Sequence, residues 1–389
     1  MVSLRRTLSS ITNSRFKENQ GDKSLIIIVG IIIAFGLVML SSASSIEAYK
    51  SYGDSYYFFK HQLVGLIMGL IIYWFFSRID YHKWRKYAWL MLIFSIVLLI
   101  LVFIPGLKSD WGRAHSWIKI FGFSLQPAEF VKITFLIYLA AWLESRRNNL
   151  SDIAQGVGPF LLVLGIIAGL MILQPDIGTL LIITLISLIV YFVGGGRLKH
   201  LALIIIAGIA VLAVLVSINS YQANRFKCLI NANLLQYKQD ICYQVNQSLI
   251  AVGSGGFWGR GLGASRQKYA YLPEVKGDSI FAIIGEETGL IFSVALVILY
   301  LFFFYRGFLI AKHSSDDFGR ILAIGIVSWI TFQALINIGG MINLIPLTGV
   351  TLPFISFGGT SLMVNLGVVG ILVNISKHGR GVKITNYQL

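Results

Sequence analysis

Long apolar runs alternate with short polar connections along almost the whole of this 389-residue chain. A helix needs about 17–25 apolar residues to cross roughly 30 Å of hydrocarbon. Ten windows of that kind stand at roughly 24–44, 61–77, 87–105, 127–143, 157–173, 177–195, 200–217, 279–304, 321–343 and 353–375. The pattern predicts an all-α, polytopic membrane protein with about ten transmembrane helices. Only Gln174-Pro175-Asp176 separates the fifth window from the sixth, so that pair reads as a tight hairpin. One polar stretch, 218–278, interrupts the alternation and predicts a single long loop. The organisation that follows is a polar tail over 1–23, a membrane domain over 24–376 containing that loop, and a second tail over 377–389.

Composition agrees: 56% of residues are hydrophobic and 13% charged, too apolar for a soluble protein of this length. An even number of spans places both tails on one side. That side gathers Arg5, Arg6, Arg78, Lys83, Arg85, Lys86, Arg146, Arg147, Arg197, Lys199, Arg306, Lys312 and Arg320, with more in the tails. The short loops opposite hold only Lys50, Lys60, Lys108, Arg113 and Lys119. This bias predicts cytoplasmic termini and an outward-facing 218–278 loop. The net charge of +15 is then topology signal and headgroup contact, with no nucleic acid implied. The first 23 residues lack a small-residue cleavage site and read as a tail plus signal anchor. Both cysteines, Cys228 and Cys242, fall in the outward loop, where a disulfide is permitted and two free thiols are the alternative. The six histidines show no zinc-ligand spacing.

Candidate chemistry lies where charge meets the apolar runs. Leu272-Pro273-Glu274-Val275-Lys276-Gly277-Asp278-Ser279 closes the long loop and opens the eighth window. An acid at the hydrocarbon edge usually has a task, although Asp278 is also placed to cap the following helix. Pro127 suits the first turn of the fourth span. Glu129 and Lys132, at i and i+3, share one face there. They form either an ion pair holding helices together or the lining of a wet cavity. Asp176 reads as the cap of the sixth span. The Gly253-to-Gly263 stretch can cradle phosphate through its N–H groups or simply turn over the membrane surface. Glu286 and Glu287 are buried acids, one expected to pair with a base on a neighbouring helix. Asn337-Ile338-Gly339-Gly340, Pro346-Leu347-Thr348-Gly349 and Leu352 to Ser361 combine small residues and breaks that suit close packing and cavity lining.

Taken together, these motifs resemble the SEDS family of bacterial cell-division and cell-shape proteins, which includes FtsW, RodA and SpoVE. The resemblance is carried by Trp117-Ile118, Gln126-Pro127-Ala128-Glu129 with Lys132, and Gln174-Pro175-Asp176-Ile177-Gly178-Thr179. It continues through Gln247 to Gly256, Gly259 to Gly263, Leu272 to Asp278, Gly285-Glu286-Glu287-Thr288-Gly289-Leu290, and the two final motifs above. Departures are visible too. Lys276-Gly277-Asp278-Ser279 replaces the family's frequent His-Thr-Asp-Phe; partial desolvation makes Asp278 a stronger base than a free carboxylate, and Lys276 works against that shift. The segment from Phe226 to Tyr243 lacks the family's Asn-Pro-Trp type of turn, and Ser116 replaces an Arg.

What the resemblance implies is a peptidoglycan glycosyltransferase that polymerises lipid II at the outer face of the cytoplasmic membrane. The family's essential loop Asp maps to Asp278, the candidate catalytic residue. Candidate substrate-binding residues are Arg113, Glu129, Lys132, Arg225, Lys268 and Glu274, with Arg113, Lys132 and Arg225 suited to neutralising a pyrophosphate. No cofactor is certain; a divalent cation, Mg or Mn, is the alternative source of that positive charge. The implied partners are lipid II, a single-span class B penicillin-binding transpeptidase, other divisome proteins and membrane lipids. Details at Asn337-Ile338-Gly339 and Thr351-Leu352-Pro353-Phe354 lean toward the division members over the elongation members, hence toward the septum. A lipid II flippase and a recruiting scaffold without chemistry are the competing readings.

Overall fold

The computed structural model describes residues 21–104, 116–120, 123–150, 152–218, 220–230 and 242–379. A long helix occupies each of the ten apolar windows. Helices α1 (Lys23–Tyr52) and α2 (Tyr57–Arg78) lead to a short α3 (His82–Lys86) and to α4 (Ala88–Leu101). A small hairpin, β1 (Ile118–Ile120) against β2 (Phe123–Leu125), pairs Ile118 with Leu125 and delivers the chain to α5 (Pro127–Ser145). Then follow α6 (Gly158–Leu173), α7 (Ile177–Val193) and α8 (Leu198–Ile218). The 218–278 loop is partly helical, with α9 (Ser220–Ile230) and α10 (Tyr243–Gly255). The chain finishes with α11 (Ile280–Lys312), α12 (Asp317–Met341) and α13 (Gly359–Lys377).

Six of these segments are individually long and apolar enough to cross a membrane: α1, α2, Ile153–Leu173, α11, α12 and α13. Three more, α4, α7 and most of α8, are apolar but shorter. The remaining long helix, α5, carries Glu129, Lys132 and Glu144 within its apolar run. The protein is a multi-pass membrane protein.

Helix α12 is the centre of the bundle, buried along nearly its whole length among α5, α7, α11 and α13. Helix α13 lies closely on α2, because a methyl on Gly65 would stand only 2.9 Å from Gly359 Cα. Glycine at both positions lets the two backbones approach where no hydrophobic force between lipid-bathed helices would draw them together. Helix starts are set by acids: Asp22 accepts from Leu25 N at 3.0 Å, Asp176 from Thr179 N at 3.1 Å and Asp316 from Gly319 N at 2.7 Å. Asp22 also receives the buried Arg306 guanidinium at 2.7 Å, tying α1 to α11.

Two expectations are corrected. The tenth span begins at Gly359, six residues later than expected, because 342–358 turns instead of coiling, with left-handed backbone at Asn343, Gly349 and Phe354. Helix α11 is broken at Gly289 (φ 76°, ψ −173°), a conformation open essentially to glycine alone. The glycine-rich stretch repairs that break. Arg260 N and Gly261 N donate to Glu286 O and Glu287 O, while Leu290 N and Ile291 N donate to Gly256 O and Phe257 O. Those loop amides are therefore spent on freed helix carbonyls, the requirement inside a membrane, and are not a phosphate cradle.

Candidate active site

Asp278 stands one residue before the cap position of α11, and the cap residue, Ser279, makes no side-chain capping bond. The Asp278 carboxylate accepts from the side chains of Gln244 and Ser279, and among the described residues no backbone N–H of α11 bonds to it. Its backbone is held tightly. Phe357 N donates to Lys276 O at 2.8 Å, Ser356 Oγ to Gly277 O at 2.7 Å and Asn337 Nδ2 to Asp278 O at 2.7 Å. Asn337 donates its second proton to Val350 O at 2.7 Å, so one amide from α12 clamps both segments. Within the turn, Gly277 N and Ser279 N both donate to Glu274 O.

The side chain is half-buried and meets three elements. From α10, Gln244 Nε2 stands 3.3 Å from both carboxylate oxygens and donates to Ser279 Oγ at 3.0 Å. From α9 comes Arg225. A methyl built on Gly349 would lie 3.7 Å from Arg225 Nη2 and 3.9 Å from Asp278 Oδ2, so both charges close over one point of the 342–358 segment. Gly349 has φ 76°, which leaves that point bare at little backbone cost. Burial pushes the Asp278 pKa up to about 6, with Glu274 adding and Arg225, Gln244 and Ser279 opposing. A carboxylate of that affinity is ionised at neutral pH yet a better proton acceptor than an ordinary one.

Lys276 does not act as its sequence position suggested. Its ammonium turns away to Glu47 of α1 and sits 4.1 Å over the Phe58 ring. The Asp278 pKa is raised, not lowered: burial and then Glu274 push it up, and the Lys276 cation is engaged elsewhere.

The structure brings Asp278, Glu274 and Arg225 together and separates the other candidates. Lys132 Nζ binds Glu129 Oε1 at 2.8 Å and Gln333 Oε1 at 2.9 Å, 4.7 Å over the Trp329 ring. This is the ion-pair alternative. Gln333 passes the contact on to Thr351 O at 3.0 Å, in the segment beneath Asp278. Lys268 is buried and donates to Glu287 at 3.0 Å, Gly263 O at 2.7 Å and Ser42 at 3.1 Å, leaving it no proton for substrate. These bonds set Lys268 apart from Asp278: Glu287 takes its basic partner from the adjoining loop and not from a neighbouring helix, while Ser42 of α1 also donates to it at 2.8 Å. Glu286 accepts from Ser265 Oγ at 2.6 Å and Arg266 N at 3.0 Å. Arg113 lies outside the described residues.

Gln244 was not singled out from sequence as a partner of Asp278, and Asn337 and Gly349 were expected only to serve close packing and cavity lining. An amide in the apolar run of α12 was the one available signal, since a polar group there must find partners. Cys228 and Cys242 are joined in a disulfide. No three His, Cys, Asp or Glu side chains gather as a metal cluster among the described residues. Glu274 beside Asp278 is a two-carboxylate donor set of the kind that holds Mg²⁺ together with substrate phosphates.

Fold and site define a multi-pass membrane protein that presents a carboxylate and an arginine beside a long loop at one end of its helix bundle. The chain belongs to the FtsW/RodA/SpoVE family of cell cycle proteins, whose model matches residues 22–381. It is 37% identical to stage V sporulation protein E of Bacillus subtilis (strain 168), over 94% of this chain and 99% of that one. It is 42% identical to the probable peptidoglycan glycosyltransferase FtsW of the same organism, over 91% of this chain and 90% of that one. Its fold matches the rod shape determining protein RodA of Thermus thermophilus with TM-score 0.67 and 25% identity, covering 92% of this chain and 96% of that one. A chain from a peptidoglycan synthase complex that coordinates polymerization and crosslinking matches with TM-score 0.75 and 24% identity, over 92% and 97%.

Proposed function

We propose that this protein is a peptidoglycan glycosyltransferase that polymerises lipid II at the outer face of the cytoplasmic membrane, with Asp278 as general base. The supporting observation is a carboxylate freed from capping, fixed by bonds to its own and the two preceding carbonyls, and set beside Arg225. The relatives named as glycosyltransferases over nearly the full length support the reaction class.

The chemistry follows from these groups. The 4-hydroxyl of one lipid II attacks the anomeric carbon of the other's MurNAc. As the new C–O bond forms, the hydroxyl proton passes to Asp278, and the old C–O bond breaks with its electron pair leaving on the pyrophosphate. Direct attack inverts the anomeric centre. A glycosidase needs a second carboxylic acid to protonate a poor leaving group. Pyrophosphate is a good one, so a cation beside the base suffices, and Arg225 is in position to stabilise the charge that develops. A divalent ion held by Glu274 and Asp278 would supply further positive charge to the phosphates.

The positive-inside bias supports cytoplasmic termini and an outward site. Within the family, Asn337-Ile338-Gly339 and Thr351-Leu352-Pro353-Phe354 favour work at the division septum, and a class B penicillin-binding transpeptidase is the partner, since the described residues include no peptide cross-linking domain. The test is lipid II polymerisation by purified protein with a transpeptidase-inactivated partner, wild type beside Asp278→Asn. Polymer from wild type alone supports the reading. Equal polymer from both removes Asp278 from the chemistry, and none from either, with lipid II crossing vesicle membranes, makes the protein a flippase.

A further inference from the structure

Arg225 sits on an arm that packing holds poorly. Helix α9 leans on α8, which precedes it, and touches the other described helices only slightly. Helix α8 is itself peripheral, with Leu203, Ile206, Ile209 and Val214 exposed. Helix α10 is different: it packs along α11 and against α12, and Ser248 Oγ reaches Met341 Sδ at 3.5 Å. One covalent link joins the loose arm to the firm one. Cys228 and Cys242 are both buried, with Cα atoms 5.5 Å apart.

The placement of that link matters. Cys228 follows Arg225 by three residues, so both lie on one face of α9. Cys242 stands at the start of α10, two residues before Gln244. The bridge thus joins the two segments whose side chains converge on Asp278. We propose that the Cys228–Cys242 disulfide is a positioning bridge: it fastens the α9 arm to α10 and thereby holds Arg225 over Asp278.

The alternative is a staple that stabilises the loop without touching the reaction. The two differ in what Asp278 experiences. The charged groups shaping it are Glu274 from its own turn and Arg225 from α9, while Gln244 from α10 and Ser279 donate neutral hydrogen bonds. Lys276 faces Glu47. A positioning bridge, once cut, lets Arg225 drift away from Asp278, so the cation is lost from the site while the protein stays folded. A staple, once cut, changes only how much protein is folded.

The inference about rate rests on Asp278 as base; the inference about the arm does not, so the test has two arms. Full-length wild type, Cys228→Ser/Cys242→Ser, Arg225→Gln and the triple variant are purified in lipid nanodiscs. Hydrogen exchange is expected to quicken in 223–230 of the bridgeless protein while 243–255 and 280–290 stay protected. Unchanged exchange in 223–230 overturns the proposal whatever the activity. In lipid II polymerisation, the rate per folded molecule is expected to fall by on the order of 10- to 100-fold. Arg225→Gln should then cost less than it does with the bridge intact. An undiminished cost of Arg225→Gln makes the bridge a staple. Wild type without polymer sinks the glycosyltransferase reading, and the exchange arm still judges the bridge. Should the serine variants not fold, wild type reduced and then reoxidised, with thiols counted by alkylation, must lose and regain both signals.

Discussion

At the residue scale the decisive property of Asp278 is that its surroundings work against its charge. A carboxylate with an ordinary pKa near 4 is raised to about 6 here. The sign of the consequence is opposite to that of a salt-bridged acid. Ionising this group costs stability, and the cost is present above pH 6 and vanishes as pH falls through 6 toward the unfolded value. Asp278→Asn is therefore expected to melt at the same temperature as wild type or higher at pH 8, with the advantage shrinking by pH 5, while polymerisation is lost. A lower melting temperature at pH 8 would contradict the raised pKa. Activity carries the same signature: kcat/KM should fall tenfold per pH unit below about 6, since only the ionised form accepts a proton. Gln244→Leu removes a donor to that ionised form, so its acid limb is expected at higher pH than wild type's. The sequence offered both signs, partial desolvation at the membrane edge raising the pKa and Lys276 lowering it, and could not decide between them. The side chain of Lys276 takes its partner from α1, 229 positions away, and chain neighbourhood gave no hint of that.

At the scale of elements, the broken helix α11 and the loop over 256–268 form one unit. Gly289 carries the break, and a methyl there would collide with Gly259 N, Phe257 O and Trp258 C. Gly289→Ala is expected to prevent the loop from docking, read as lost folded yield in detergent; normal yield and melting would mean that the break is not required. Behind the loop, Lys268 and Glu287 are both nearly inaccessible. Removing one partner of such a pair costs roughly 3–5 kcal/mol, whereas removing both is often close to neutral. Lys268→Met should thus destabilise strongly, and Lys268→Met/Glu287→Gln should recover melting temperature and polymerisation together. Recovery of stability without activity would restore Lys268 as a substrate residue.

At the scale of the whole molecule, the fold sets a site at one end of the bundle by running α12 through its centre. Asn337 and Gln333, one helical turn apart on α12, reach Val350 O and Thr351 O, so α12 holds the middle of the 342–358 segment. Orientation is testable because the two cysteines are bonded to each other and the sequence has no third. In intact cells, Tyr269→Cys is expected to react with a membrane-impermeant maleimide and Arg147→Cys only after permeabilisation; the reverse pattern would invert the topology. Sequence determined the ten helices, the hairpin at Gln174-Pro175-Asp176 and the importance of the turn before α11. Those depend on local apolar periodicity, helix caps and breakers, which act over a few residues. Only tertiary structure decided that Lys132, paired with Glu129 on its own helix, also reaches Gln333, that Lys268 answers Glu287, and that the Gly-rich stretch repairs a helix. It also decided that Arg225, Gln244 and Gly349, from three separated segments, meet at Asp278. The physical reason is that a buried charge or freed carbonyl must find a partner, and which partner it finds is settled by packing among distant helices.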